Sequence, residues 1–294
     1  MISVPEVTIE RIAAATGSGE SLADLAVRSA HAVGAEGVSA VVAATFSNPE
    51  RFPSLAVRVA SSLGLPPSVA AFDVQMACSA YPYALYLAGR LSADMGGRVL
   101  VVDGDVQSPL VDANDHATGK IFSDACTATV VSSNAGGESR FDFLSRYDEA
   151  LVCGANGPIK MDGFKVFSFV ATEVSGFLRD FLSASPAPDF FAPHQANPYM
   201  VRQLADSLGL KEKLLTIPDE LKNPGSASVP LALAMNAGRI AGSRVLVAGF
   251  GAGYSASAGL IRFAASSSFS AEKRTIVEEL VEERPASHSG GNVV

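Results

Sequence analysis

The sequence predicts an α/β protein made of two halves that repeat one βα pattern. Three observations carry that reading: a long internal repeat, the alternation of apolar runs with Ala-rich stretches, and a composition able to bury a large core. Residues 41–49, an apolar run ending in Asn-Pro, match residues 190–198, which end the same way. Ser62-Leu63-Gly64-Leu65 returns as Ser207-Leu208-Gly209-Leu210, Pro82-Tyr83-Ala84-Leu85 as Pro230-Leu231-Ala232-Leu233, and Arg98-Val99-Leu100-Val101 as Arg244-Val245-Leu246-Val247. The offset stays between 145 and 149 residues throughout. Two halves so related pack about a pseudo-two-fold axis, which brings equivalent strand ends together at the centre.

Taken in order, the first half offers apolar, β-rich runs at 38–44, 70–74, 98–102 and 127–131, separated by Ala-rich helical stretches at 21–33, 54–63 and 79–92. The second half offers strands at 190–192, 214–217 and 244–248 and helices at 163–183, 198–208 and 228–240. Short strands without polar alternation are buried on both faces, so helices must cover the sheets. The expected organisation is an N-terminal half at 1–150, a C-terminal half at 151–263, and an appended segment at 264–294. That last segment is rich in Ser, Glu, Lys and Arg, with one amphipathic set at Ile276, Val277, Leu280 and Val281, and reads as a solvated helix and disordered tail.

Composition narrows the function classes. The 294 residues are 48% hydrophobic and 18% charged, which fits a compact enzyme and excludes disorder for most of the chain. Cys78, Cys126 and Cys153 form no CxxC pair and are too few for a disulfide framework, so a reducing, cytoplasmic location is expected. Mean hydropathy is +0.26, yet no charge-free apolar run reaches the roughly 18 residues of a membrane span, and the N-terminus lacks the regions of a signal peptide. A net charge of −8 disfavours nucleic acid, whose phosphates need clustered Lys and Arg.

The chemistry concentrates at residues 72–82. A strand ends near Met76 and a helix begins just after Cys78, so the thiol lies where backbone N–H groups and the helix dipole favour an anion. A free cysteine is commonly a buried packing residue and a lone histidine commonly structural. The repeat changes the balance, because its register sets Cys78 opposite Ser226 and brings His194, at the end of an equivalent strand between Pro193 and Pro198, to the same pseudo-axis. A histidine facing a helix-start cysteine can serve as base, acid or oxyanion donor.

Cys78 in Phe-Asp-Val-x-x-Ala-Cys-Ser, His194 in His-Gln-Ala-Asn, and Asn223 followed by Ser226-Ala227-Ser228-Val229-Pro230 together resemble the three signatures of β-ketoacyl-acyl-carrier-protein synthase III. The resemblance covers about residues 10–263 and includes Phe52-Pro53-Ser54, Phe122-Ser123-Asp124, residues 163–167 and Gly249-Phe250-Gly251-Ala252-Gly253. It implies the thiolase fold, two pseudo-symmetric halves in a five-layer αβαβα sandwich, and a homodimer, with a heterodimer as the other arrangement. It further implies that Cys78 takes an acyl group from a thioester of acyl carrier protein or coenzyme A. His194 and Asn223 would hold a malonyl-type thioester as it loses carbon dioxide, and the N–H groups of Cys78 and Ala252 would hold the tetrahedral oxyanion. Phe52, Gln195 and Ser226 are the implied substrate contacts, with Phe52 crossing to the neighbouring subunit. No metal or redox cofactor is implied.

Departures from the family pattern qualify what is expected. The family's opening segment, with its Arg-Thr-Gly-Ile motif and coenzyme-A-binding Trp, has no counterpart before Glu10, which points to a carrier-protein thioester or a different nucleotide site. Tyr199 stands where a basic residue is usual, leaving Arg202, Lys211 and Lys213 for carrier docking or for an ordinary solvated face. Pro224 follows Asn223 and restricts it to extended backbone. The stretch between Ser132 and Met161 is short for the family. These features keep open acyl transfer to an oxygen or nitrogen nucleophile with His194 as base, a non-catalytic partner subunit, and a thiol hydrolase. Residues 249–253 resemble a dinucleotide loop only weakly, because the third glycine is misplaced and no acid follows about twenty residues on. His116 with Asp112 and Asp115 reads as a polar loop in preference to a metal site. Cys126 and Cys153 read as packing residues.

Overall fold

The computed structural model describes residues 1–17, 19–112, 114–115, 118–154 and 157–265. His116, His288 and the amphipathic set at 276–281 lie outside the described residues. The first half runs β1 (Ile2–Thr16), α1 (Leu22–Val33), β2 (Val38–Ala44), α2 (Leu55–Ser62), β3 (Ala70–Val74), α3 (Ala80–Met95), β4 (Arg98–Asp105) and β5 (Ala125–Ser145). The hairpin β6 (Leu151–Cys153) and β7 (Ile159–Met161) follows, then α4 (Gly163–Phe169), a π-helical turn Val170–Val174, and α5 (Ser175–Ser183). The chain continues through β8 (Phe190–Pro193), α6 (Pro198–Ser207), α7 (Ser228–Met235), α8 (Ala237–Ile240), β9 (Arg244–Gly251) and β10 (Ser255–Phe263).

The repeat in the sequence is a repeat in topology. In the first half β2 and β4 are parallel and β5 returns antiparallel beside β4. In the second half β8 and β9 are parallel and β10 returns antiparallel beside β9. Two strands join the halves: β5 pairs with β4 through residues 125–131 and with β10 through residues 140–145, while β1 runs antiparallel to β5 and touches β10.

Strand alternation sorts the apolar side chains into layers. Leu100 and Val102 of β4 face an outer cluster with Leu25 and Val59 of α1 and α2. Val99 and Val101 face a central cluster containing Tyr81, Ala84 and Leu85 of α3, Val229 and Leu233 of α7, and Val245 and Val247 of β9. Leu246 and Phe250 on the other face of β9 pack with Phe169, Leu178 and Leu204 of α4, α5 and α6. Two helices are thus sandwiched between the two halves of one eight-stranded sheet, each half covered outside by helices, which makes five αβαβα layers.

The strands expected at 38–44 and 70–74 match β2 and β3. Residues 214–217 instead make a single bridge from Leu214 to Phe191, because a 3-10 turn at Lys211–Lys213 and Pro218 bracket them too closely for a ladder. The helix expected at 228–240 breaks at Asn236, and that at 163–183 contains the π-helical turn. The short β6–β7 hairpin was not anticipated, nor were β1, β10 and the second part of β5. Their charged or Ser/Gly-rich residues hide the pattern, since Glu6 pairs with Arg262 and Glu10 with Arg98 while β10 packs small side chains on both faces. Cys126 is fully buried in β5, but Cys153 is exposed, because the β6–β7 hairpin stands outside the main sheet. No helix of the described residues is long and apolar enough to cross a membrane.

Candidate active site

Cys78 lies in the 3-10 turn Ala77–Ser79 that leads from β3 into α3. Ala77, just before it, holds φ at 42°, a left-handed conformation that costs a non-glycine residue on the order of 1 kcal/mol or more. The turn is pinned on both sides of the thiol. Ser79 N and Oγ donate to the Met76 carbonyl at 3.1 and 2.7 Å, and Ser257 Oγ of β10 donates to the Ser79 carbonyl at 2.8 Å. β9 comes close enough that only glycine fits. A Cβ on Gly249 would sit 2.6 Å from Ser79 Cα and 2.8 Å from the Cys78 carbonyl oxygen, and one on Gly251 3.0 Å from Cys78 Cβ. Ala252 follows in the β9–β10 turn, its carbonyl accepting from Ser255 Oγ at 2.7 Å.

Cys78 is 6% exposed, and burial pushes its thiol up to about 12, with the nearby Asp105 carboxylate adding to the effect. Desolvation outweighs the turn's N–H groups, so the thiol form is favoured where the helix dipole alone would favour the thiolate.

His194 follows β8 and its backbone N–H donates to the Ala248 carbonyl of β9 at 2.7 Å. The ring meets Phe250 edge-on at 5.3 Å between centroids. Burial pulls its pKa down to about 4, opposed in part by a hydrogen bond with the Gly225 backbone, so the imidazole is neutral at physiological pH. Its Nδ1 is 2.8 Å from Ser228 Oγ, which also accepts the Gln195 backbone N–H at 3.1 Å. Ser228 is the site residue that the sequence reading passed over. It lies five residues after Asn223, on the first turn of α7, and that spacing beside the His-Gln-Ala-Asn motif is the signal that would have found it.

Asn223 is 6% exposed and tied through every backbone group: its N–H donates to the Ile121 carbonyl at 3.1 Å, and its carbonyl accepts from Ser123 N at 3.0 Å and Gln107 Nε2 at 3.1 Å. Its side-chain Oδ1 accepts from Gly225 N at 3.0 Å. The turn Gly225–Ala227 packs against the Cys78 turn and leads into α7. One turn therefore anchors both the Asn223 amide and, through Ser228, the His194 ring.

The remaining expected contacts are placed differently. Gln195 spends its amide nitrogen on the Pro193 and Leu215 carbonyls at 2.6 and 3.3 Å. Ser226 is 1% exposed and donates to Asp105 Oδ2 at 3.0 Å. Phe52 is 85% exposed on the loop before α2, outside the cluster around Cys78. Lys213 Nζ donates to the Pro188 carbonyl at 2.7 Å, whereas Arg202 and Lys211 are exposed.

Two βα halves closing over a pair of central helices, with a cysteine on the first helix's leading turn, make up the thiolase fold. Residues 72–148 match the model of 3-oxoacyl-[acyl-carrier-protein] synthase III, and residues 186–263 match the model of its C-terminal part. A β-ketoacyl-[acyl-carrier-protein] synthase III of Methylococcus capsulatus is 33% identical over 277 residues, 86% of each chain. Among solved structures, a 3-oxoacyl-(acyl-carrier protein) synthase from Burkholderia xenovorans superposes with a TM-score of 0.81 at 23% identity, covering 90% of this chain and 95% of its own. The β-ketoacyl-[acyl-carrier-protein] synthase III of Thermus thermophilus gives 0.75 at 29% identity, covering 85% and 87%. The chain belongs to the 3-oxoacyl-[acyl-carrier-protein] synthase III family, and is a condensing enzyme of the transferase class.

Proposed function

We propose that this enzyme moves an acyl group from a thioester of acyl carrier protein or coenzyme A onto Cys78 and joins it to a malonyl-type thioester by decarboxylative condensation. In the first half-reaction Cys78 Sγ bonds the acyl carbon, and the departing thiol carries away the proton lost from Cys78. In the second, the malonyl group loses carbon dioxide, its carbanion attacks the acyl carbon, and Cys78 leaves and is reprotonated. The backbone N–H groups of Cys78 and Ala252 would hold the intervening oxyanion.

One arrangement carries this reading: the acceptor atoms of both assisting side chains are occupied by the protein. Asn223 Oδ1 takes the Gly225 N–H, which leaves Nδ2–H to donate. Ser228 Oγ accepts from Gln195 and has its own hydrogen to give to His194 Nδ1; in that tautomer Nε2–H is left to donate. Two preorganised donors suit an enolate oxygen that develops charge during decarboxylation.

The 2.8 Å contact between His194 Nδ1 and Ser228 Oγ also fits the opposite tautomer, which gives a second reading. An N–H on Nδ1 would make Nε2 a base, suited to acyl transfer to an oxygen or nitrogen nucleophile. Intact-protein mass spectrometry after incubation with acyl-coenzyme A and acyl-carrier-protein panels, with Cys78→Ala as control, tests the acyl-enzyme. A single adduct absent from the variant, turned over on adding a malonyl thioester with release of carbon dioxide, is expected. Turnover without carbon dioxide points to transfer, and no adduct from any donor to a partner-subunit role.

The halves at 1–150 and 151–263 would each supply one side of this site. Phe52, Gln195 and Ser226 enter unequally: Phe52 as a residue reaching into a partner's acyl pocket, the other two as supports of the loops around His194 and Asn223.

A further inference from the structure

β4 delivers two carboxyl groups to the central layer, and only one of them is satisfied. Asp105 Oδ1 accepts from Thr45 Oγ1 at 2.8 Å, Phe46 N at 2.9 Å and Ser47 N at 3.1 Å, and its Oδ2 accepts from Ser226 Oγ at 3.0 Å. Asp103, two residues earlier on the same face, is 0% exposed, and neither of its oxygens has a full hydrogen bond, the Ser226 hydroxyl being the one donor or acceptor group that acts on it. The repeat makes the contrast sharper. The positions equivalent to Asp103 and Asp105 on β9 are Gly249 and Gly251, which press on the Cys78 turn. The second half thus offers two glycines to the cysteine turn, while the first half offers two acids to the Gly225–Ala227 turn.

A bare carboxylate without a hydrogen bond is among the costliest groups to bury. The titratable groups that feel Asp103 are Asp105 beside it on β4, Cys78 on its turn, Tyr81 on α3 and Cys126 on β5, and none of these is a cation. Burial and Asp105 both drive Asp103 well above the usual carboxylate range, and the one group that opposes them is the Ser226 hydroxyl. That hydroxyl gives its own hydrogen to Asp105 and has lone pairs free to accept another.

We propose that Asp103 stays the neutral acid and gives its hydrogen to Ser226 Oγ, so that Asp103, Ser226 and Asp105 form a single-charge clamp on the turn that aims Asn223 and His194. Asp103 is then a positioning residue: it touches no substrate, and it acts through Ser226 on a turn whose Gly225 N–H orients the Asn223 amide and whose Ser228 orients the His194 ring. The kinetic part of this inference rests on the condensing function proposed above; the protonation of Asp103 does not.

The test compares infrared difference spectra of the full chain and of Asp103→Asn at neutral pH. The carbonyl stretch of a protonated carboxylic acid, present in the parent, lost in the variant and shifted in heavy water, is expected; identical spectra in that region would overturn the proposal. In parallel, Asp103→Val, which has no donor, slows malonyl-thioester decarboxylation on the order of tenfold with Cys78 self-acylation moved far less, and Asp103→Asn, which keeps a donor, restores it. Equal rates in the Val and Asn variants would refute the clamp. If Asp103→Val does not fold, the spectra and the Asn variant still decide. If no thioester acylates the protein, the function above fails while the spectra still report on Asp103.

Discussion

At Ser228 a single hydroxyl decides what the histidine beside it can do. It accepts from Gln195 N and meets His194 Nδ1; in the donor tautomer proposed above, Ser228→Ala frees the ring to place its hydrogen on Nδ1 and removes the donor at Nε2. Malonyl-thioester decarboxylation should fall on the order of 10- to 100-fold, as for other residues that orient a catalytic group, while Cys78 acylation stays near the parent rate. Nitrogen-15 NMR of the His194 ring reads the tautomer in the parent and in the variant. A parent ring protonated at Nδ1 would favour acyl transfer over condensation. The same burial shapes the pH response of stability. His194, lowered from 6.5 to about 4, leaves stability intact above pH 6.5 and withdraws it as the pH falls toward 4, by about 3 kcal/mol in all. Asp105, raised from 3.8 to about 6, acts with the opposite sign: its contribution is whole below pH 3.8 and is lost as the pH rises through 6. Between pH 4 and 6 the two slopes oppose each other. His194→Gln unmasks the acid, so its urea midpoint should drop more steeply than the parent's as the pH is raised from 4 to 6.

Among the elements, β9 is the one that presses on the Cys78 turn. Gly249 leaves no room for a methyl group, and the atoms it would strike are the backbone of the cysteine turn, which cannot move aside as a side chain can. Gly249→Ala should cost roughly 1–3 kcal/mol by overpacking, and should slow Cys78 acylation on the order of 100-fold by displacing the thiol. Thermal unfolding and acylation rates measured on one preparation check both. β2, β3 and β4 were legible in the sequence because all-apolar runs flanked by turns have few other uses. β1 and β10 were not, because their identity depends on partners far along the chain: Glu6 and Glu10 look exposed until Arg262 and Arg98 meet them. β5 read as a short strand, since Gly136, Gly137 and Glu138 interrupt its apolar pattern and its second part is held by β1 at residues 138–141 and by β10 at residues 140–145.

For the whole molecule, the exposed aromatic at Phe52 and the open edge of β3 are the features a second copy would cover. We predict a homodimer at micromolar concentration by light scattering, and a shift toward monomer with loss of acylation capacity in Phe52→Asp. A monomeric parent protein with full activity would refute the crossing residue. The repeat already placed Cys78 and His194 near one axis, since equal βα units put equivalent strand ends together whatever their side chains. Sequence alone thus determined the two-half α/β plan and the family, and singled out Cys78, His194 and Asn223 as the candidates, because motif residues and apolar runs are written locally. Tertiary structure decided how those residues are held and charged. Whether a thiol is a thiolate, which nitrogen of an imidazole is free, and whether Ser226 meets substrate or a buried acid all depend on desolvation and on hydrogen bonds between separate segments, 34 residues apart for His194 and Ser228 and 121 for Ser226 and Asp105.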